Sequence, residues 1–369
     1  MKFHLTGSLE SSRVRRPLFA ILGALAGLLA LDASLFRTGL YTSILEPDSS
    51  TGIFELVLRR EQQAQRRYGG NLVVTLGDSR FAYYPRVANQ QTAATGLAFR
   101  HAGVAGTNAR AWYYMLRDLD PTRDRYRAIV LGVDDYDDED GAYDISNDLA
   151  ALHYVAARLR LTDVVPFALS FHDLAARWEA FRGSLFKGLV FQRDILALLS
   201  HPVKRLEYVK LANRSYEEWS DGFVDTDRNV VGLKVDWATL TATFPPGNDG
   251  LRQEMNRFVL YRPYPQTGRH AAFRRKWFGE LVNRYRGTPT KVVFLRLPRG
   301  PVPRPDHLVQ KKSSSIREFA ARPGVLLVDE HAFDSLEAPE FFKDAFHLNN
   351  TGCSLLSVRM SEELGKLLR

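Results

Sequence analysis

The chain has 369 residues, 45% of them hydrophobic and 25% charged, a balance that excludes a disordered protein and predicts a sizeable buried core. A single cysteine, Cys353, excludes a disulfide framework and any multi-cysteine zinc or iron–sulfur site. Fifty Lys and Arg residues against 42 Asp and Glu residues give a formal net charge of +8. That charge permits attraction to nucleic acid, to an anionic membrane or to an acidic polymer.

An almost uncharged apolar segment occupies residues 17–36. As a helix it would be about 30 Å long, which matches the thickness of a bilayer core. More arginines precede the segment than follow it, so the positive-inside rule places residues 1–16 in the cytoplasm and the rest outside. We therefore expect a single-pass anchor in the inner (plasma) membrane and a periplasmic or extracytoplasmic domain. A cleaved signal peptide and a buried core helix are the alternatives.

Beyond the anchor, short apolar runs alternate with segments of helical periodicity. The helical segments are 53–68, 108–119 and the stretch from residue 350 to the end, and the strand candidates are 71–76, 98–104, 128–133, 291–295 and 325–329. Strands separated by helices need right-handed crossovers, which favour a parallel sheet covered by helices. The expected fold class is α/β, a three-layer α/β/α domain on a five-stranded parallel sheet.

The alternation breaks between the third and fourth strands, over about residues 137–268. Helical patterns at 149–161, 173–181 and 193–199 come first, and 221–265 is irregular and rich in Gly, Pro and Asp. This segment predicts a large insertion that caps the edge of the sheet. The expected layout is a tail (1–16), an anchor (17–36), a linker with an amphipathic helix (37–70) and one interrupted domain (71–369).

Two residues at the predicted carboxyl edge of the sheet suit acyl chemistry. Ser79 follows the first strand, in a turn expected to lead into a helix, where its hydroxyl would be exposed and its N–H would help hold an oxyanion. Gly106 follows the second strand and can bring its backbone N–H close to a substrate oxygen. An ordinary strand-to-helix turn would explain the same glycine.

A third element precedes the last helix, where Asp344 stands three residues before His347. A carboxylate at that spacing can accept the imidazole Nδ1–H, which leaves Nε2 to act as a general base on a serine. By itself the pair would suit a surface loop or a helix cap. Together with Ser79 and Gly106 it indicates a catalytic site.

In this combination the chain resembles the SGNH (GDSL-like) hydrolase and acyltransferase superfamily, over about residues 71–369. Residues 77–79 are similar to the first block of that family, Gly106 to its second-block glycine, and residues 344–347 to its last block. The resemblance implies a triad and an oxyanion hole. The triad is Ser79, His347 and Asp344, and the oxyanion donors are the N–H groups of Ser79 and Gly106.

The sequence departs from the family at Asp134, where the third block supplies an asparagine donor. An ionised carboxylate cannot donate and repels an oxyanion. Asp134 therefore turns away, is protonated, or is misaligned. Arginines at the same edge are candidates for binding an anionic substrate group, or are surface or ion-paired residues. They are Arg80, Arg296, Arg299 and Arg304.

The acidic run 134–140 lacks the glycine and the distal glutamate of an EF-hand, so we expect a solvated loop or one neutralised by arginines of the insertion. The sequence predicts no metal site and no cofactor.

A membrane anchor ahead of such a domain is similar to proteins of alginate O-acetylation and of D-alanyl transfer to teichoic acids. The expected function is serine O-acyl transfer, with acetyl transfer to an exported polysaccharide favoured. A carbohydrate esterase and a non-catalytic polysaccharide-binding scaffold are the alternatives. Expected partners are the polysaccharide acceptor, an acyl donor and a membrane acyl-carrier or biosynthesis complex. Nucleic acid is not expected, because the basic residues are dispersed and no binding motif is present.

Overall fold

The chain is an α/β protein on a five-stranded parallel sheet with strand order β2-β1-β3-β6-β7. The computed structural model describes residues 11–65, 70–138, 145–221, 226–245, 268–303, 305 and 313–369, without the side chains of 11–18 and 215–221. The strands are β1 (Leu72–Leu76), β2 (Ala98–His101), β3 (Ala128–Val133), β4 (Lys234–Asp236), β5 (Thr241–Thr243), β6 (Lys291–Arg296) and β7 (Val325–Leu327). The predicted five-stranded parallel sheet is confirmed.

Helices surround this sheet. They are α1 (Ser11–Phe36), α2 (Ser50–Gln65), α3 (Pro85–Asn89), α4 (Thr92–Thr95), α5 (Ala109–Leu119), α6 (Ala150–Val155), α7 (Val164–Ala168), α8 (Leu174–Leu185), α9 (Lys187–Val190), α10 (Gln192–Ser200), α11 (Pro202–Asp221), α12 (Arg269–Arg284), α13 (Ser315–Ala320) and α14 (Asn350–Leu367). The sequence pattern did not predict α11. The expected helix at 149–161 is broken into α6 and two short 3-10 turns.

The sheet is apolar on both faces, as buried parallel sheets are. Every residue of β1 is buried, and its side chains alternate between two hydrophobic clusters. Leu72 and Val74 pack with α2, α5 and α12, whereas Val73 packs with α14. Helices therefore lie against both faces, and the carboxyl ends of the strands form the edge at which loops gather.

The insertion between β3 and β6 holds helices α6 to α11 and the small antiparallel sheet β4-β5. Its first helices pack on α2 and α5. Its hairpin packs on the other layer, where Val230 and Phe244 join the cluster of α14. Residues 222–225 and 246–267 of the predicted irregular stretch lie outside the described residues.

The helix α1 belongs to a stretch, Phe19–Ser43, that is long and apolar enough to cross a membrane. Only 11% of its most apolar window is buried, so α1 is not a core helix of the described domain. Residues 1–10 of the predicted cytoplasmic tail lie outside the described residues.

The end of α1 is docked on the insertion. The carboxylate of Asp32 accepts hydrogen bonds from the N–H groups of Lys187 and Gly188, at the start of α9. The guanidinium of Arg37 donates to three carbonyls, those of Leu159, Ser184 and Leu185. Because both contacts cap helix ends, they hold the domain in one position relative to α1.

A second close contact sets the top of the sheet, where the ring of Phe81 fills a slot between Gly77 and Gly132. A Cβ at Gly132 would lie 2.3 Å from Phe81 Cδ1, and one at Gly77 would lie 2.5 Å from Phe81 Cβ. Both positions need glycine because any side chain would displace Phe81. A glycine inside a buried strand such as β3 signals a close approach of this kind.

We expect Gly132→Ala to lower the free energy of unfolding by about 1–3 kcal/mol, since the methyl group overpacks the slot. Gly279→Ala, in the middle of α12, is the matched control. Its added Cβ would lie 3.5 Å from Phe319, an ordinary contact. Alanine is also the better helix former, so the control should be neutral or stabilising by up to about 1 kcal/mol. Denaturant titration in detergent micelles measures both variants, and equal effects would contradict the slot.

Candidate active site

The structure brings Ser79, His347 and Asp344 together. His347 Nε2 lies 2.8 Å from Ser79 Oγ, across 268 residues of sequence, and His347 Nδ1 lies 2.8 Å from Asp344 Oδ2. All three side chains are partly buried at the carboxyl edge of the sheet. A carboxylate on Nδ1 assigns the proton to that nitrogen, so Nε2 is the acceptor that faces the hydroxyl of the serine.

Ser79 stands in a tight turn directly after β1. Asp78 Oδ1 accepts the N–H of Arg80 at 2.9 Å, and the N–H of Phe81 donates to the Asp78 carbonyl at 3.1 Å. Residues 81–84 belong to no helix or strand, and α3 begins only at Pro85. The helix expected after this turn is present, but it begins six residues after Ser79. Because Phe81 is held in its slot, the turn itself presents Ser79, without support from a helix N-terminus.

Asp344 shapes the loop that carries the histidine as well as orienting its ring. Its Oδ1 accepts the N–H groups of Phe346 at 3.0 Å and of His347 at 2.7 Å. Burial acts to raise the pKa of Asp344, but His347 and these two N–H groups outweigh it and hold the pKa below its usual range. The carboxylate is therefore ionised wherever the protein is folded at neutral pH.

Gly106 adopts a left-handed backbone, with φ +73°. A Cβ there would lie 2.6 Å from the hydroxyl oxygen of Tyr154, which donates to the carbonyl of Ala105 at 2.7 Å. The loop of Gly106 also lies close to the turn that holds Ser79, since a Cβ at Gly103 would lie 2.8 Å from the Gly77 carbonyl oxygen. Within the described part of the chain, the N–H groups of Ser79 and Gly106 donate to no other group.

Asp134 lies at this edge as an ion-paired carboxylate. Its oxygens are 3.6 Å from Arg80 Nη1 and 3.8 Å from Arg274 Nη1. Burial acts to raise the pKa of Asp134, but Arg80 and Arg274 hold it far below its usual range. The carboxyl is therefore not protonated, which excludes one of the three readings from sequence. An ionised Asp134 cannot serve as an oxyanion donor, the role that the third block of the family would give to this position.

The candidate substrate-binding arginines differ in their surroundings. Arg80 is one-third exposed and pairs with Asp78 at 2.6 Å, so it braces the turn around Ser79. Arg296 is buried against the carboxylates of Glu337 and Asp334, which leaves it no surface for a substrate and makes it a structural residue. Arg299 shares Glu337 at 3.2 Å but stays partly exposed. Arg304 lies outside the described residues.

The acidic run is neutralised by arginines. Asp137 pairs with Arg317, and Asp138 with Arg274 at 3.3 Å. These arginines come from α12 and α13, beyond the insertion that the sequence had suggested. Among the described residues no group of three or more His, Cys, Asp or Glu side chains is placed to hold a metal. Residues 139–144 lie outside the described residues.

The search for family models and the search of curated proteins each found no match to this chain. The geometry of the site therefore indicates its chemistry. A hydroxyl, an imidazole and an ionised carboxylate in one line activate the hydroxyl as a nucleophile. Sequence reasoning missed Phe81, Tyr154 and Arg274, of which only Phe81 had a signal, the glycine inside β3.

We expect a fluorophosphonate probe to label Ser79 rapidly in the intact chain. His347→Gln and Asp344→Asn should slow labelling by about 10³-fold or more. The first removes the general base, and the second removes the carboxylate that fixes the tautomer of that base. His331→Gln is the matched control, since His331 Nδ1 lies 2.7 Å from Asp334 in a second, exposed Asp–His pair. Labelling that is insensitive to His347 would contradict the relay.

Proposed function

We propose that the chain is a membrane-anchored, extracytoplasmic serine O-acyltransferase with an SGNH-like three-layer domain. The observation that carries this proposal is the continuous relay from Asp344 through His347 to Ser79, with 2.8 Å at each step. The order of the motifs along the chain, and helices against both sheet faces, support the SGNH resemblance.

In the first half-reaction, Ser79 Oγ attacks the carbonyl carbon of the acyl donor while His347 Nε2 takes its proton. The oxyanion of the tetrahedral intermediate accepts hydrogen bonds from the N–H groups of Ser79 and Gly106. Asp344 stabilises the imidazolium. His347 then returns the proton to the leaving group, and the acyl group remains as an ester on Ser79.

In the second half-reaction, a sugar hydroxyl takes the place of the leaving group. His347 removes its proton, the hydroxyl oxygen attacks the acyl-serine, and collapse of the intermediate releases Ser79 with its proton restored. Water in the same position would give hydrolysis, the reaction of an esterase. A tether to the membrane favours transfer to an exported polysaccharide, because it keeps Ser79 beside polymers and acyl donors that emerge there.

The arginine excess before the anchor favours an orientation with the domain outside the plasma membrane. A membrane-bound acyl-carrier or biosynthesis complex would supply the donor in that compartment. The net charge of +8 suits an acidic glycan or an anionic membrane surface.

We expect the full chain in detergent micelles to transfer acetyl from a chromogenic acetyl ester to oligosaccharides. The acceptor should accelerate ester consumption and yield acetylated sugar, because it resolves the acyl-serine faster than water does. Ser79→Ala is the control and should abolish both readings. Free acetate without acetylated sugar would contradict transfer and favour the esterase. A folded chain that never acylates Ser79 would favour the scaffold.

We expect Asp134→Asn to raise the acylation rate, by about tenfold, since an amide ends the repulsion and can donate to the oxyanion. The change also leaves the positive charges of Arg80 and Arg274 less compensated. Asp137→Asn makes the same chemical change at a carboxylate paired with Arg317 and is the control. Burst-phase kinetics with the chromogenic ester measure both variants. A lower acylation rate in Asp134→Asn would contradict this expectation and show that acylation requires the Asp134 carboxylate.

A further inference from the structure

The helices α9, α10 and α11 present large apolar side chains to their outer surface. These residues, the α9–α11 stripe, are Leu189, Leu196, Leu199, Val203 and Leu206, with exposed fractions of 51%, 58%, 72%, 67% and 45%. A helix on the surface of a soluble domain normally turns its polar face outward. Contiguous exposed apolar residues mark a surface that contacts another apolar phase.

The inner side of the same helices is held by ion pairs. Arg205 of α11 is buried and pairs with Asp194 at 3.0 Å and Glu46 at 2.7 Å. Tyr208 donates to Asp48 at 2.6 Å. Arg205, Asp194 and Tyr208 thus contact the segment 44–48, while the leucines of the stripe stay exposed. The ion pairs hold the stripe outward.

The stripe starts where the membrane-crossing candidate ends. Asp32 of α1 accepts from the first N–H groups of α9, and a Cβ at Gly188 would lie 3.2 Å from the ring of Phe36. Leu35 and Leu40, at the end of α1 and just after it, are exposed as well. Ile195 of α10 packs on the apolar cluster that contains Phe36, so α10 lies beside the end of α1.

Cations flank the leucines. Arg193, Lys204 and Lys210 are exposed on the same two helices, with Glu207 as an exposed acid among them. Leucines with flanking Lys and Arg characterise helices that lie in the headgroup region of a membrane. Basic residues near such a surface are attracted to anionic lipids.

We propose that the α9–α11 stripe inserts into the interface of the bilayer from which α1 emerges, with anionic phospholipid as its partner. The domain is then held by two contacts, a spanning helix and a helical face lying in the plane of the membrane. This inference does not depend on acyl transfer, since it rests on the anchor and the insertion alone.

The test uses the full chain reconstituted in vesicles of phosphatidylcholine and phosphatidylglycerol. An environment-sensitive fluorophore is attached at Leu196→Cys, Leu199→Cys or Val203→Cys. Burial raises the pKa of the native Cys353 thiol to about 12, so it does not compete for the label. Glu362→Cys, at an exposed position of α14, is the control on the opposite helix layer. Because all four positions are exposed, we expect each variant to keep the melting temperature of the wild-type chain.

Spin-labelled lipids should quench the stripe reporters at least about threefold more strongly than the Glu362→Cys reporter, because the leucines reach the acyl boundary. Equal quenching at all positions would overturn the proposal. A stripe that is quenched only weakly in pure lipid but protected in native membranes would overturn it in favour of a protein partner. Replacing phosphatidylglycerol by phosphatidylcholine should weaken the quenching, and an unchanged signal would refute the anionic headgroup as partner.

Discussion

The packing of one aromatic ring against bare backbone determines where Ser79 lies. Phe81 lies over Gly77 and Gly132 because neither carries a side chain, and this contact directs the chain back across the top of β1 and β3. The turn 78–81 closes around the carbonyl of Asp78 as a result. Ser79 is therefore positioned by van der Waals contact and steric exclusion, which are short-ranged and tolerate little displacement.

The other half of the relay is placed by a carboxylate that does two things. Asp344 closes its loop through two backbone N–H groups and orients the imidazole through its second oxygen. The loop is closed from outside by the bridge between Phe342 and Leu348. The two halves meet because β1 and the start of α14 share one edge of the sheet, although they are far apart along the chain.

Much of this was accessible from the sequence and some was not. The apolar runs at 128–133 and 291–295 predict strands because a strand that is buried on both faces is apolar along its whole length. Ser79 and the pair of Asp344 and His347 are likewise local patterns whose spacing carries their chemistry. Ion-pair partners carry no such pattern. Arg296 appeared to be a candidate for substrate binding, yet it is enclosed by carboxylates that stand about 40 residues further along the chain.

The insertion is where sequence reasoning failed most, and it connects the parts of the molecule that the proposed function needs. The first N–H groups of its helix α9 donate to Asp32 of α1. Tyr154 of its helix α6 donates to Ala105, in the loop of Gly106. The loop of Gly106 is therefore positioned by the same structural unit that binds the end of α1. Because α6 and α7 both pack on α8, and α8 packs on α9, this loop is held relative to the end of α1 by side-chain packing and not by a flexible linker. Under the proposed function, a polymer would reach Ser79 at a fixed distance from the membrane.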